Sequence, residues 1–393
     1  MRILECEVFP VQIPLRTPFP HNLSLRKSAE SVVIRLRDEL GNVGYGEGSP
    51  REYVTGESLP SVTQMGIQYC QPWILGSSWK INIRSQPDIL DLLRVFHENF
   101  PSIPKSNGIV HWNALRTAME IAFLDLILHR LQKPFFAFFP PVRDFLHTAL
   151  GIGSYSPKIA SVIHILGRCA GFQNFKIKCN RKDDNLRLKW INYFRGKTSV
   201  YRLDANLAYS TREHSQILEL KSLLDFGPDC IEEPFLNPNH SHLSDLQSEW
   251  KTCFMADENL VCESDALNIL ENQSYSAWSL RVSKLGGILP LLDMYRMAQK
   301  NHIKILLGCH VGELGILNRV GVLLGLTLPH LDYFEGGYGS WILTRDIVPS
   351  GPKFGYAGKI KIKDGSKIGF GYTVLPERLE ELKQNYSNKG DSE

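Results

Sequence analysis

Long apolar runs are missing from these 393 residues. None approaches the ~20 residues that a membrane-spanning helix needs. The opening MRILECEVFPVQIPL alternates as a strand does and lacks the charged-then-apolar order of a secretory leader. Charge of one sign is equally scarce. Lys and Arg number 44 against 41 Asp and Glu, a net +3, which removes the bulk-charge basis for binding nucleic acid or a membrane surface. The eight cysteines include no CxxC pair and mostly sit in apolar runs, as reduced core thiols do. No low-complexity segment occurs, and no glycine-rich phosphate turn follows an early strand. GYGEG, residues 44–48, has glycines but neither a following helix nor a P-loop lysine, so it reads as a hairpin and a contact between domains. These absences leave a cytoplasmic protein with free thiols and a small-molecule ligand as the expectation.

What is present is an ordinary globular composition, 43% hydrophobic and 22% charged, on a chain long enough for two domains. ILECEVFPVQIPL and ESVVIRLRDELGNVGYGEGSP read as antiparallel strands, the second pair turning at ELGN. Helical spacing follows over 57–75, 86–99 and WNALRTAMEIAFLDLILHRLQ. From about residue 146 a strand–helix rhythm takes over, with strands at LHTALGIG, FKIKC, VYRLDAN, DCIEEPF, TCFMADEN, WSLRVSK, IKILLGC and LDYFEGG. Eight such units predict a parallel α/β barrel; the competing doubly wound sheet would want the phosphate turn that is lacking. The expected division is an α+β capping domain over 1–130, a barrel over 131–345, and a segment of turns and short strands over 346–393 that returns to the cap.

Barrel enzymes carry their chemistry at the carboxyl ends of the strands. Read in order, those ends bear Lys176 and Lys178, Asp204 and Asn206, Glu232 and Glu233, Asp257 and Glu258, Arg281 and Lys284, Cys309 and His310 with Glu313 beyond, and Glu335. Three successive strands ending in acids would bring Asp204, one of Glu232 or Glu233, and Asp257 to one point. Carboxylates that close repel unless a hard dication sits among them, and an all-oxygen set suits Mg²⁺, with Mn²⁺ as an alternative. Lys176 and Lys178 point to the same side of one strand. With a metal nearby, Lys178 becomes a base for the α-proton of a bound carboxylate and Lys176 its electrostatic neighbour. Lys284 arrives four strands later, on the far side, as the second acid/base. Glu258 is expected to support this machinery, and His310 and Tyr53 to reach substrate. His21 and Arg51 lie in segments expected to close over the mouth, and Cys309 reads as pocket lining.

The series KIK, LDAN, IEEP, ADEN and SKLGG resembles the enolase superfamily, in its muconate-cycloisomerase-like branch, and the likeness runs almost end to end. IPLRTPF, ESVVIRL, GNVGYGEGSP and YVTGES resemble the capping domain of dipeptide epimerases, and WILTRDIV the cycloisomerase tail. The resemblance implies a modified (β/α)₇β TIM-type barrel under an α+β cap, and a homo-oligomer. It implies Asp204, Glu232 and Asp257 as metal ligands, Lys178 and Lys284 as the acid/base pair, and Arg26 as a substrate-binding arginine of the cap. Two departures bear on substrate. YFEGG has Tyr333 where an Asp-x-Asp pair usually begins and keeps Glu335; GCHVGELG differs from the usual text but keeps the acid Glu313. The expected activity is a Mg²⁺-dependent racemase or epimerase acting on an N-acyl amino acid or dipeptide-like carboxylate. The alternatives are a cycloisomerase or an o-succinylbenzoate-synthase-like syn-dehydratase and, from another class, a non-catalytic binding barrel.

Overall fold

The computed structural model describes residues 1–21, 24–105, 109, 111–349 and 351–390. Three antiparallel strands begin the chain: β1 (Ile3–His21), β2 (Ser24–Asp38) and β3 (Val43–Gly48), in the order β1-β2-β3. On β3 the glycines Gly44, Gly46 and Gly48 recur at every second residue and so share one face. A Cβ at any of them would run into the backbone of the helix Asn113–Arg130, at Leu126, Ala118 and Ala114 respectively. The motif is therefore a packing surface, smooth enough for a long helix to lie directly on a strand. Between Glu52 and Gly76 the expected single helix is broken into short helices with a π-turn at Gly66–Cys70.

After β4 (Leu146–His147) come eight strands: β5 (Leu150–Ile152), β6 (Asn174–Lys178), β7 (Val200–Asp204), β8 (Cys230–Glu232), β9 (Phe254–Ala256), β10 (Ala277–Leu280), β11 (Lys304–Leu307) and β12 (Tyr333–Phe334). They form one parallel sheet in strict chain order, and Ala149 N–H donates to Phe334 C=O (3.1 Å) to draw its two edges together. Helices cover the outside, which is the (β/α)₇β architecture. The first expected barrel strand is in fact two pieces, because β4 leaves the barrel to pair antiparallel with β13 (Lys359–Ile360). The carboxyl-terminal segment also departs from expectation: it ends in a helix, Pro376–Gly390, that packs on β1. Proline at its first position and the spacing of Leu379 and Leu382, both buried, account for it. Among the described residues no helix is long and apolar enough to cross a membrane.

Cap and barrel are locked by buried carboxylates set against helix starts, where N–H groups lack intrahelical partners. Glu47 on β3 accepts from Leu314 N–H (2.7 Å), Leu317 N–H (2.8 Å) and Ser31 Oγ (2.8 Å). Glu120 accepts from Ile288 N–H (3.1 Å) and Leu289 N–H (3.0 Å). This explains the glycines of SKLGG: Gly287 has φ +138°, and a Cβ there would strike the Glu120 carboxylate.

Candidate active site

Parallel pairing sets the register of the functional strand ends. Lys178 pairs with Asp204 and Asp204 with Glu232, so side chains of like parity project together into the mouth. Lys176 Nζ stands 3.1 Å from Asp204 Oδ2, 2.9 Å from Glu232 Oε2 and 3.5 Å from Glu335 Oε2. Lys178 Nζ donates to Asn206 Oδ1 (2.6 Å) and lies 3.7 Å from Asp204 Oδ2. The surroundings separate the two amines. Burial pulls Lys178 below the usual lysine range and Lys176 adds to the fall, with Asp204 opposing it. Burial works against the charge on Lys176 too, yet Asp204, Glu232 and Glu335 hold that group well above its ordinary value.

The adjacent glutamates point in different directions. Glu232 faces the barrel axis with Lys176, Arg202 (3.4 Å) and Arg281 (3.6 Å). Glu233 turns outward and accepts from Asn259 N–H (3.0 Å), Asp257 N–H (2.6 Å) and Tyr275 Oη (2.8 Å), clasping the loop after β9. Asp257 is ion-paired with Arg281 and with Lys284, whose Nζ is 2.9 Å from its Oδ1. Lys284 also donates to the carbonyls of Asp257 and Ser279 (both 2.7 Å) and is fully buried. Burial lowers its pKa, Arg281 adding and Asp257 opposing.

The donor chemistry of Asp204, Glu232 and Asp257 fits a hard dication. All three are buried, and burial, with Asp204 and Asp257 adding and Lys176 opposing, pushes Glu232 up to about 8. In this arrangement basic side chains neutralise the acids, and among the described residues no three His, Cys, Asp or Glu are spaced to share one ion.

A cavity of about 340 Å³ opens onto the cluster. Lys176, Lys178, Asp204, Glu258, His310 and Glu335 line it, and Tyr53 closes over it from the cap. Glu258 accepts from Asn206 Nδ2 (3.3 Å), and burial beside Asp257 and Glu233 holds its carboxyl far above the usual range. His310 is buried at the cavity wall, and neither ring nitrogen has a hydrogen-bond partner among the described residues. Burial, with Arg281 and Arg51 nearby, keeps its imidazole neutral. Glu313 accepts from His310 N–H (2.7 Å) and stands behind the wall. Arg26 is not among the lining residues; its guanidinium lies over the Tyr53 ring at 5.9 Å. Arg51 is buried and ties Val311 C=O (2.8 Å) to the cap. The His21 side chain lies outside the described residues.

Several lining residues carried no assignment from the sequence. Arg16 of β1 faces the cavity at its rim, and Tyr338, Trp341 and Phe354 form an apolar wall. Arg202 was legible in principle: it precedes Asp204 by two, hence shares its face, and it pairs with both Glu232 and Glu335. Tyr333 stays below, with Arg202 over its ring (4.9 Å) and the apolar plug around Cys230 and Met255 alongside.

A parallel barrel with Lys178 at the end of one strand, Lys284 in the turn of helix after another four strands on, and carboxylates between them is the frame of an acid–base enzyme. The family model described as enolase C-terminal domain-like matches residues 165–378, and the chain belongs to that family. The D-Ala-D/L-Ala epimerase of Cytophaga hutchinsonii is 24% identical over 378 residues, covering 95% of this chain and 96% of that protein. Among solved structures, N-succinyl Arg/Lys racemase from Bacillus cereus superposes with TM-score 0.83 at 21% identity, covering 98% of both chains. A dipeptide epimerase from Cytophaga hutchinsonii, complexed with Mg and D-Ala-L-Val, gives 0.82 at 23%, covering 97% of this chain and 98% of that one. Muconate lactonizing enzyme from Pseudomonas fluorescens gives 0.83 at 23%, covering 97% and 99%.

Proposed function

We propose that this protein is a Mg²⁺-dependent racemase or epimerase that moves the proton at the α-carbon of a carboxylate substrate. The observation that carries the reading is the placement of two lysines four strands apart in the sheet order, Lys178 at the end of β6 and Lys284 in the short helix Val282–Leu285 that follows β10, each beside an acid of the central set. Lys178, facing the cavity with its ammonium form disfavoured by burial, takes the proton from one side. Lys284 serves the opposite side, so that a proton is removed from one face and returned to the other. Lys176 keeps its charge among Asp204, Glu232 and Glu335 and steadies negative charge near Lys178. Asp204, Glu232 and Asp257 would hold Mg²⁺, or Mn²⁺ in its place, and the dication supplies charge stabilisation to the deprotonated carboxylate. The names of the relatives, an epimerase and a racemase of amino-acid derivatives, support inversion at an α-carbon.

The substrate follows from which polar groups are committed. Glu335 is already engaged by Arg202 and Lys176, so its charge is unavailable to a free ammonium. An N-acyl amino acid, or a peptide-like carboxylate with its α-amine blocked, fits better than a free amine. Arg16 at the rim would receive a distal carboxylate, and the wall of Tyr338, Trp341 and Phe354 an apolar portion. His310 is the neutral donor and acceptor left for the amide. The setting is a cytoplasmic enzyme of soluble small molecules. One observation favours the cycloisomerase or dehydratase reading: Lys284 is held by three acceptors and does not line the cavity, as suits a lysine that only steadies charge. Incubation with Mg²⁺ and a library of N-acyl amino acids, dipeptides and other carboxylates in D₂O decides. Exchange at the α-position with both enantiomers supports the racemase, and exchange in one sense the alternative. No exchange with any member defeats both and leaves a binding protein.

A further inference from the structure

Two neighbouring helices of the barrel's outer layer are amphipathic in the wrong sense. The helix Pro157–Cys169 buries Ala160, Ser161, His164 and Gly167, which are small or polar, and turns Ile159, Val162 and Leu166 outward, each more than half exposed. Gly167 lies so close to the barrel that a Cβ would strike the Leu150 side chain. The next helix, Asp184–Tyr193, encloses the Asp184–Arg187 ion pair and points Leu186, Trp190 and Tyr193 outward, with Phe194 edge-on to Tyr193 at 5.0 Å. An outer barrel helix ordinarily shows water its polar stripe. Here large apolar side chains recur at three- and four-residue spacing on the open faces of two helices that pack against each other.

We propose that this double-helix face is an interface with a second copy of the chain. The area supports that occupant. Seven large side chains, 43–84% exposed, present roughly 600–800 Å² when each is taken as about half open and ~150–250 Å² in full. That exceeds the ~300–600 Å² patch of a typical monomer and matches the ~800 Å² per partner of a stable interface. The composition supports it too. A two-fold contact must complement itself, which an apolar face does without any matching charge, and subunit interfaces of homodimers are the more apolar class. Both helices flank β6, the strand of Lys176 and Lys178, and Arg187 reaches Lys178 C=O (3.2 Å) from the inner side. The second copy therefore seats behind the lysine strand and away from the cavity mouth.

Sedimentation velocity of the full chain at about 1–50 µM tests this. The wild type is expected to run as a dimer or a multiple of it. The Leu166→Glu, Tyr193→Glu double variant should lose at least half that mass, with far-UV circular dichroism unchanged because both positions are open to solvent. If the glutamate pair proves insoluble, Leu166→Gln with Tyr193→Ser asks the same question. The control Leu40→Glu, exposed on the β2–β3 turn of the cap, should leave the assembly intact. A monomeric wild type overturns the proposal and returns the face to a different partner or a membrane. So does a double variant that assembles like the wild type.

Discussion

Glu47 offers a test of how cap and barrel are coupled. Its carboxylate is fully buried between β3 and the start of the helix Gly315–Thr327, accepting from Leu314 N–H, Leu317 N–H and Ser31. Burial raises it to about 7 against the pull of those three donors, and Asp346 adds to the rise. A carboxyl that binds its proton more tightly when folded costs nothing below the unfolded value of 4.5; the penalty grows as pH climbs and is complete above about 7. Glu47→Gln carries no such titration. Relative to the variant, the wild type should therefore lose about 2–3 kcal/mol of stability between pH 5 and pH 8. A bond that the Gln amide cannot accept is missing at every pH and offsets the variant's whole curve, so the pH dependence of the difference isolates the charge. Urea midpoints at pH 5, 6, 7 and 8 measure it. Parallel pH curves for the two proteins would refute the argument. Glu47→Ala, which leaves buried N–H groups unpaired at about 1–3 kcal/mol each, should be worse than Gln at every pH. It should also lower kcat/KM, since Leu314 continues directly from the loop of His310 and Glu313.

Replacing Asp204, Glu232 or Asp257 by Ala should abolish Mg²⁺-dependent turnover and the Mg²⁺-induced rise in Tm while leaving the fold intact; a variant that keeps both would remove that residue from the ligand set. Lys178→Ala and Lys284→Ala should each retain α-proton exchange for one enantiomer only, read by proton NMR in D₂O, and loss of exchange with both enantiomers in both variants points to one-base chemistry. Arg16→Ala should raise KM for substrates with a distal carboxylate by up to about 10-fold, in line with a partly solvated charge-assisted pair, and leave neutral substrates unchanged; the same assay on Arg26→Ala should show a smaller effect, and the reverse order would move recognition back to Arg26. His310→Met should lower kcat/KM for N-acyl substrates at least 10-fold without lowering Tm, because it removes a buried imidazole whose ring nitrogens have no hydrogen-bond partner among the described residues; a fall in Tm with kcat/KM unchanged would make His310 structural.

The chemical cluster was legible because it obeys rules that are local and repeat. Strand parity alone places Lys176 with Lys178, and a strand–helix period brings each following acid to the same end of the barrel, so Asp204, Glu232 and Asp257 fall on three successive strand ends without any knowledge of loops. The same parity would have found Arg202, two residues before Asp204. It could not separate Glu232 from Glu233, since that depends on Glu233 leaving the strand with φ +41° to reach Asn259 and Tyr275. The helix Pro376–Gly390 escaped for another reason: its polar face outweighs the few leucines it buries on β1, so composition reads as tail.

Specificity was the least legible part, and the structure gives the reason. The cavity wall joins Arg16 of β1, Tyr53 of the cap, His310 after β11 and the aromatic residues 338–354, four segments whose separation along the chain exceeds any spacing rule. Only the cap–barrel contact makes them neighbours, and that contact runs through buried groups: Glu47 of GYGEG on two N–H donors of the barrel, Arg51 on Val311 C=O, Glu120 over Gly287. Each tie fixes the cap against a helix start or loop of the barrel rather than against substrate. Wall residues such as Arg16, Trp341 and Phe354 can then change without disturbing the lysines; Glu335 lines the same cavity but is paired with Arg202 and Lys176, and belongs to the lysine machinery instead. Under the proposed function a carboxylate would be recognised by the barrel and the remainder of the substrate by the cap and the carboxyl-terminal wall. Exchange of Arg16, Trp341 or Phe354 should therefore shift KM among substrates while the rate of α-proton exchange on the best substrate holds; a uniform loss of that rate would tie the wall to the chemistry itself.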